Sequence, residues 1–114
     1  MMKQNQHPNV IYILADDMGY GDFGIFSDGS ARTPNLDRLV RQGCAMSHCY
    51  AASPVCAPAR AALLTGRYPH RTGAVDTYEA IGGDRMALRE VTLADVYRAN
   101  GYRTGLIGKW HLGL

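Results

Sequence analysis

No stretch of this chain is long and apolar enough to span a bilayer, and residues 1–8 are polar, without the apolar centre of a signal peptide. The expectation is a disordered tail over 1–8 and a cytoplasmic setting, with a periplasmic one only if the natural start lies further upstream. A run of like charge is also missing. Twelve basic and ten acidic residues leave a net charge of +2, scattered along the chain, which excludes a nucleic-acid or membrane-surface footprint. Cysteine is scarce: Cys44, Cys49 and Cys56 are odd in number, cannot all pair, and read as reduced thiols. With His48 they match no closed tetrahedral zinc spacing, so Cys44 and Cys49 read as small apolar residues of a buried strand. No internal repeat or low-complexity tract is present. Nor is there a phosphate-binding loop of the Gly-x-x-x-x-Gly-Lys-Ser/Thr kind, because Trp110 follows Lys109 where Ser or Thr is required.

What is there is a chain of 114 residues with 46% apolar content, the composition of one small globular domain. Val10-Ile11-Tyr12-Ile13-Leu14-Ala15 is a continuous apolar run of the kind found in a strand covered on both faces of a parallel sheet. Thr33 as N-cap and Pro34 at the first helical position open a helix that carries Leu36, Leu39 and Val40 and stops at Gly43. A strand over Cys44–Ala51 follows. A second helix is expected from about Pro58 to Thr65, with Gly66 as its left-handed stop. Tyr68 to Arg89 lacks periodicity, and a connection this long is usually functional or disordered. Thr92 then caps a helix with Asp95 at N3, its Leu93, Val96 and Tyr97 making an apolar stripe before Gly101, and Tyr102–Ile107 forms the last strand. Such alternation predicts a layered α/β domain with functional groups at the C-terminal ends of its strands, where Asp16, Asp17, Lys109 and His111 all fall.

Cys56-Ala57-Pro58-Ala59-Arg60, running into Ala61-Ala62-Leu63-Leu64-Thr65-Gly66-Arg67, is the most informative stretch. It places Cys56 just ahead of a helix whose unpaired N–H groups and positive dipole end suit an anion. Arg60 shares a helix face with Leu63 and Leu64 and is held inward by their burial. Asp16 and Asp17 can converge on one ion only if the chain turns off the strand there, which Gly19 and Gly21 allow. By itself an Asp-Asp pair reads as a solvated acidic turn. Alongside the Cys56 motif, it reads as oxygen ligands for a hard divalent cation, Ca²⁺ or Mg²⁺. Lys109 and His111 are two apart, so an extended segment puts them on one side and Trp110 on the other, in packing.

The Cys-x-Pro-x-Arg core with its Leu-Leu-Thr-Gly-Arg ending resembles the signature of the type I sulfatases, in which the cysteine is converted after translation to formylglycine. Gly101 to His111, ending Gly108-Lys109-Trp110-His111, resembles that family's second signature, and Asp16-Asp17-x-Gly19 its N-terminal metal-binding pair. Ala59 stands where serine is usual, which leaves the Cys-x-Pro-x-Arg core intact. The resemblance runs from about Asn9 to Leu114. It implies an alkaline-phosphatase-like α/β/α domain with a mostly parallel sheet, of which residues 9–114 are the truncated N-terminal part, inactive when isolated.

The activity so implied is hydrolysis of sulfate monoesters, small-molecule or carbohydrate. Formylglycine made from Cys56 by a formylglycine-generating enzyme takes up the sulfuryl group as its hydrate, and the second hydroxyl then expels sulfate. Arg60 stabilises the ionised hydrate, Lys109 binds the sulfate and the bridging oxygen, and His111 contacts the hydrate and assists its collapse. Asp16, Asp17 and the residue at 56 hold the Ca²⁺ or Mg²⁺, with further ligands from later sequence. Cys56 retains rival readings as a buried structural cysteine or a thiolate nucleophile. The tyrosine-phosphatase loop is excluded, since it needs five residues between Cys and Arg and this chain has three. A phosphonate monoester or phosphodiester hydrolase is the rival activity, and an inactive truncated chain the rival of another class. Tyr68, His70, Arg71 and Tyr78 are placed at the substrate entry by loop position.

Overall fold

The structure, a computed structural model, describes residues 7–113. Most of the expected tail therefore lies outside the described residues. The chain divides into two compact units, Met1–Met46 and Ser47–Leu114. Four α-helices are present among the described residues: α1 (Pro34–Gln42), α2 (Cys56–Thr65), α3 (Pro69–Thr72) and α4 (Leu93–Ala99). Three 3₁₀ turns, Tyr20–Asp22, Gly24–Phe26 and Glu79–Ile81, complete the set. None of these helices is long and apolar enough to cross a membrane.

In the first unit the 3₁₀ turns pack on one another and the second packs on α1. Tyr20 and Phe26 stack at 4.4 Å between ring centroids. Pro34 opens α1 and Gly43 ends it, as expected, but Thr33 does not cap through its side chain. Its hydroxyl accepts the Gly24 N–H at 2.7 Å and donates to Asp37 Oδ1 at 2.7 Å, and that same oxygen accepts the Ile25 N–H at 3.1 Å. Thr33 and Asp37 thus tie α1 to the preceding turn. Gly24 is required there, because a Cβ would lie 2.6 Å from Asp37 Oδ2.

In the second unit α2 is the centre, contacting both α3 and α4. It begins two residues earlier than expected, with Val55 as N-cap, so Cys56 lies in the first turn and Pro58 is the third helical residue. Proline is tolerated there because the first four N–H groups of a helix have no intrahelical partner in any case. Gly66 closes α2 in the left-handed region (φ 65°), its N–H donating to Ala62 O at 2.8 Å. The buried face is Ala57, Pro58, Ala61 and Ala62, while Leu63 and Leu64 are half-buried, so the small residues rather than the leucines set the packing. Ala57 and Ala61 form the core with Ala74 and Leu112, and Leu64 and Met86 pack against it.

The Thr92 cap of α4 forms as expected: its hydroxyl accepts the Asp95 N–H at 3.3 Å, and Asp95 Oδ2 accepts the Thr92 N–H at 2.9 Å. The Leu93–Val96 stripe is exposed rather than covered. The stretch 68–89 is more ordered than its lack of periodicity implied, since it holds α3 and the Glu79–Ile81 turn.

No β-strand is formed among the described residues, and the runs 10–15, 44–51 and 102–107 are not in a sheet. A strand exists only through the neighbour that takes its N–H and C=O groups, and these runs show the converse of sheet burial. Ile11 is 85% and Ile13 80% exposed, Ile107 is fully exposed, and Cys44 and Cys49 are exposed thiols instead of buried core residues.

Candidate active site

Lys109 is brought to Cys56 by the burial of Leu112. Leu112 is 4% exposed and packs with Ala57 and Ala61 of α2, which ties the segment after Gly108 against the face that follows Cys56. The Met86 N–H donates to Leu112 O at 3.2 Å and holds the other side of the same segment. Lys109 Nζ then donates to Cys56 Sγ at 3.4 Å, and Arg60 Nη1 donates to Lys109 O at 2.8 Å. Three of the residues singled out by sequence are therefore linked in one chain of contacts, across 53 positions between Cys56 and Lys109.

Arg60, one turn beyond Cys56, is half-buried, as its place on α2 implied. It acts here on the backbone of the Lys109 segment. Cys56 is the first residue of α2, at the helix end where backbone N–H groups lack intrahelical acceptors, so a partial positive charge and an ammonium both border position 56.

His111 departs from the extended geometry expected of it. Its φ is +55°, a left-handed conformation that a residue with a Cβ adopts at a cost of about 1–3 kcal/mol. The same-side placement of Lys109 and His111 rests on an extended backbone, which this turn replaces. Lys109 reaches Cys56, whereas His111 lines a cavity with Glu79, Asp84, Arg85, Trp110 and Gly113. Trp110 is not turned away into packing; it is 39% exposed, borders that cavity, and donates from Nε1 to Gly113 O at 3.0 Å.

In the first unit Asp16 and Asp17 sit in a bend, and Asp17 has φ +58°. This is the turn off the apolar run that convergence requires. A carboxylate oxygen from each lies within 4.8 Å of the other, and both residues are exposed. Two oxygen donors so placed fit a hard divalent cation. Among the residues assigned to substrate entry, Tyr68 and His70 stack at 5.8 Å, and Tyr68, His70, Arg71 and Tyr78 are all exposed.

Sequence reasoning passed over Glu79, Asp84 and the Arg67–Glu90 pair. Arg67 Nη1 donates to Glu90 Oε1 at 2.8 Å and Oε2 at 2.7 Å, fastening the end of α2 to the start of α4.

The sulfatase family profile matches residues 8–114. Human (Homo sapiens) arylsulfatase H is 45% identical over 99% of this chain and 21% of its own length. Human arylsulfatase A is 48% identical over 94% of the chain and 21% of its length, and mouse (Mus musculus) steryl-sulfatase 47% over 94% and 18%. The chain belongs to the sulfatase family. It spans about a fifth of the length of these curated relatives.

Proposed function

We propose that the chain carries the nucleophile-bearing part of a sulfuric ester hydrolase acting on sulfate monoesters, with Cys56 converted to formylglycine by a formylglycine-generating enzyme. The observation that carries this reading is the contact of Lys109 Nζ with Cys56 Sγ at 3.4 Å, in a family whose named relatives are arylsulfatases and steryl-sulfatases. Cys56 Sγ stands where the converted residue would place its hydrated-aldehyde oxygens. When present, that group supplies a nucleophilic oxygen that can later release sulfate.

The side chains of this protein prepare the surroundings. Lys109 sets a positive charge beside position 56, where the oxygens of a bound sulfate ester carry their charge, and the first-turn N–H groups of α2 add donors. Arg60 fixes Lys109 through its carbonyl, so the ammonium is oriented before substrate arrives. His111, two residues beyond Lys109, would contact the converted residue at position 56 and assist release of sulfate from it. Asp16 and Asp17 would hold Ca²⁺ or Mg²⁺, a cation that would supply charge stabilisation in sulfate ester cleavage. In this reading the apolar runs 10–15, 44–51 and 102–107 pair in the mostly parallel sheet of an alkaline-phosphatase-like domain, as their apolar composition suits.

The test is the mass of the tryptic peptide ending at Arg60 after co-expression with a converting enzyme. The expected result is the mass of an aldehyde in place of the thiol at residue 56. A fully unmodified thiol would remove the proposed nucleophile.

A further inference from the structure

Resting on the role of Lys109 proposed above, we infer that Trp110 is a positioning residue whose indole N–H closes the turn that sets the Lys109 ammonium beside position 56. Trp110 Nε1 donates to Gly113 O at 3.0 Å. The Trp110 side chain is 39% exposed, so water is at hand to serve its N–H, yet the group is turned back onto its own chain.

The segment needs such a closure. Leu112 is anchored in the core with Ala57 and Ala61, but it stands three residues beyond Lys109. Three residues span about 10 Å when extended, so the anchor alone does not fix where Lys109 lies. The backbone between them is also strained: His111 has φ +55°, between Gly108 at +111° and Gly113 at +87°. A residue with a Cβ stays in that region only where surrounding contacts hold it. The Trp110–Gly113 bond spans His111 and Leu112 and is a contact of this kind.

Both ends of the bond are held from outside the turn. Gly113 packs on Arg85, where a Cβ would lie 3.0 Å from Cγ, so its carbonyl has little room to rotate. The Met86 N–H donates to Leu112 O at 3.2 Å and fixes the residue before it. On the other side Arg60 Nη1 donates to Lys109 O at 2.8 Å, one residue ahead of Trp110. A bond between two held ends keeps Lys109 Nζ at 3.4 Å from Cys56 Sγ before substrate arrives. Phenylalanine at 110 keeps an aromatic ring and has no donor, which separates closure from packing.

The test uses the full 114-residue chain with Cys44→Ser and Cys49→Ser, which leaves Cys56 as the sole thiol. Rate constants for its alkylation by iodoacetate, an anion, and by neutral iodoacetamide are read from the mass of the tryptic peptide ending at Arg60. Both reagents meet the same thiol, so their ratio reports the charge beside Sγ, and general loosening that exposes Cys56 raises both rates alike. An ammonium about 4 Å from an incoming carboxylate favours it about fivefold under water-like screening, and Lys109→Met should remove that preference. Trp110 is the only tryptophan, so replacing tryptophan throughout by benzothienylalanine, which carries sulfur in place of the indole N–H, alters this bond alone. The expected result is a ratio lowered about twofold or more, with Trp110→Phe moving it the same way and far-UV circular dichroism unchanged. A ratio that falls in Lys109→Met but not in the sulfur analogue overturns the role of Trp110, and one that Lys109→Met leaves unmoved overturns the placement of the ammonium as well. Loss of the helices in the sulfur analogue also overturns it, by making the bond a requirement for folding. Neither readout depends on conversion of Cys56, which the aldehyde mass tests separately.

Discussion

Replacing Arg67 with alanine leaves the Glu90 carboxylate buried without its partner, and the cost follows from how unequally the two side chains are exposed. The Glu90 side chain is 1% exposed and the Arg67 side chain 50%. Removing one partner of a fully buried pair costs about 3–5 kcal/mol, and an exposed pair is worth about 0–1 kcal/mol. With one end in water, screening brings the expected loss for Arg67→Ala to about 2 kcal/mol. Glu90→Gln keeps an oxygen that accepts from Arg67 and should cost about 1 kcal/mol. Replacing both residues with methionine removes the stranded charge and should recover much of the single-variant loss. Urea unfolding followed by Trp110 emission measures each value, with an unchanged slope showing that only stability moved. The exposed Arg98–Asp95 contact at 3.3 Å, with side chains 68% and 44% exposed, is the control. A loss for Arg67→Ala no larger than that for Arg98→Ala would refute the reasoning.

The Asp95 carboxyl is held below its ordinary value of 3.8, first by the hydrogen bond from the Thr92 hydroxyl, then by that from the Thr92 N–H, with Arg98 adding to the effect. A depressed carboxylate contributes stability that is complete above its unfolded value and is lost as pH falls through its folded value, so α4 should lose helicity below about pH 3.8. Asp95→Asn should flatten that part of an acid titration followed by circular dichroism, and an unchanged titration would contradict the assignment. Gly24→Ala forces a Cβ to 2.6 Å from Asp37 Oδ2 and 3.2 Å from Ala31 O. The expected loss is about 1–3 kcal/mol, visible as faster hydrogen exchange at the Ile25 amide. Ala61→Leu overfills a position that is 0% exposed and should cost about 1–3 kcal/mol. It should also push Leu112 outward and shift Trp110 emission; an unshifted spectrum in a folded variant would uncouple Leu112 packing from the site.

Features set within one helical turn were legible in the sequence. Gly66 and the Thr92–Asp95 box act through bonds to residues at most four positions away, and Pro34 and Gly43 through their own backbone, so residue type alone predicts them. Thr33 shows the limit, because it also looked like a cap and its hydroxyl instead serves Gly24, nine residues back. The apolar runs marked sequences suited to a sheet, but a strand is a property of two segments, and no run forms that pairing among the described residues. Glu79 and Asp84 carried no motif and could not be found by spacing.

The Cys56 and Lys109 motifs were legible as separate signals, yet the reason they meet was not. The meeting depends on Ala57 and Ala61, which the sequence presents as unremarkable helix formers. Their small side chains let Leu112 approach α2 closely, and three residues before Leu112 lies Lys109. Larger residues at those places would preserve every motif residue and still hold the ammonium away from position 56. Site geometry here is therefore specified by residues that do no chemistry, which explains how a motif can be read correctly while the turn at His111 is read wrongly.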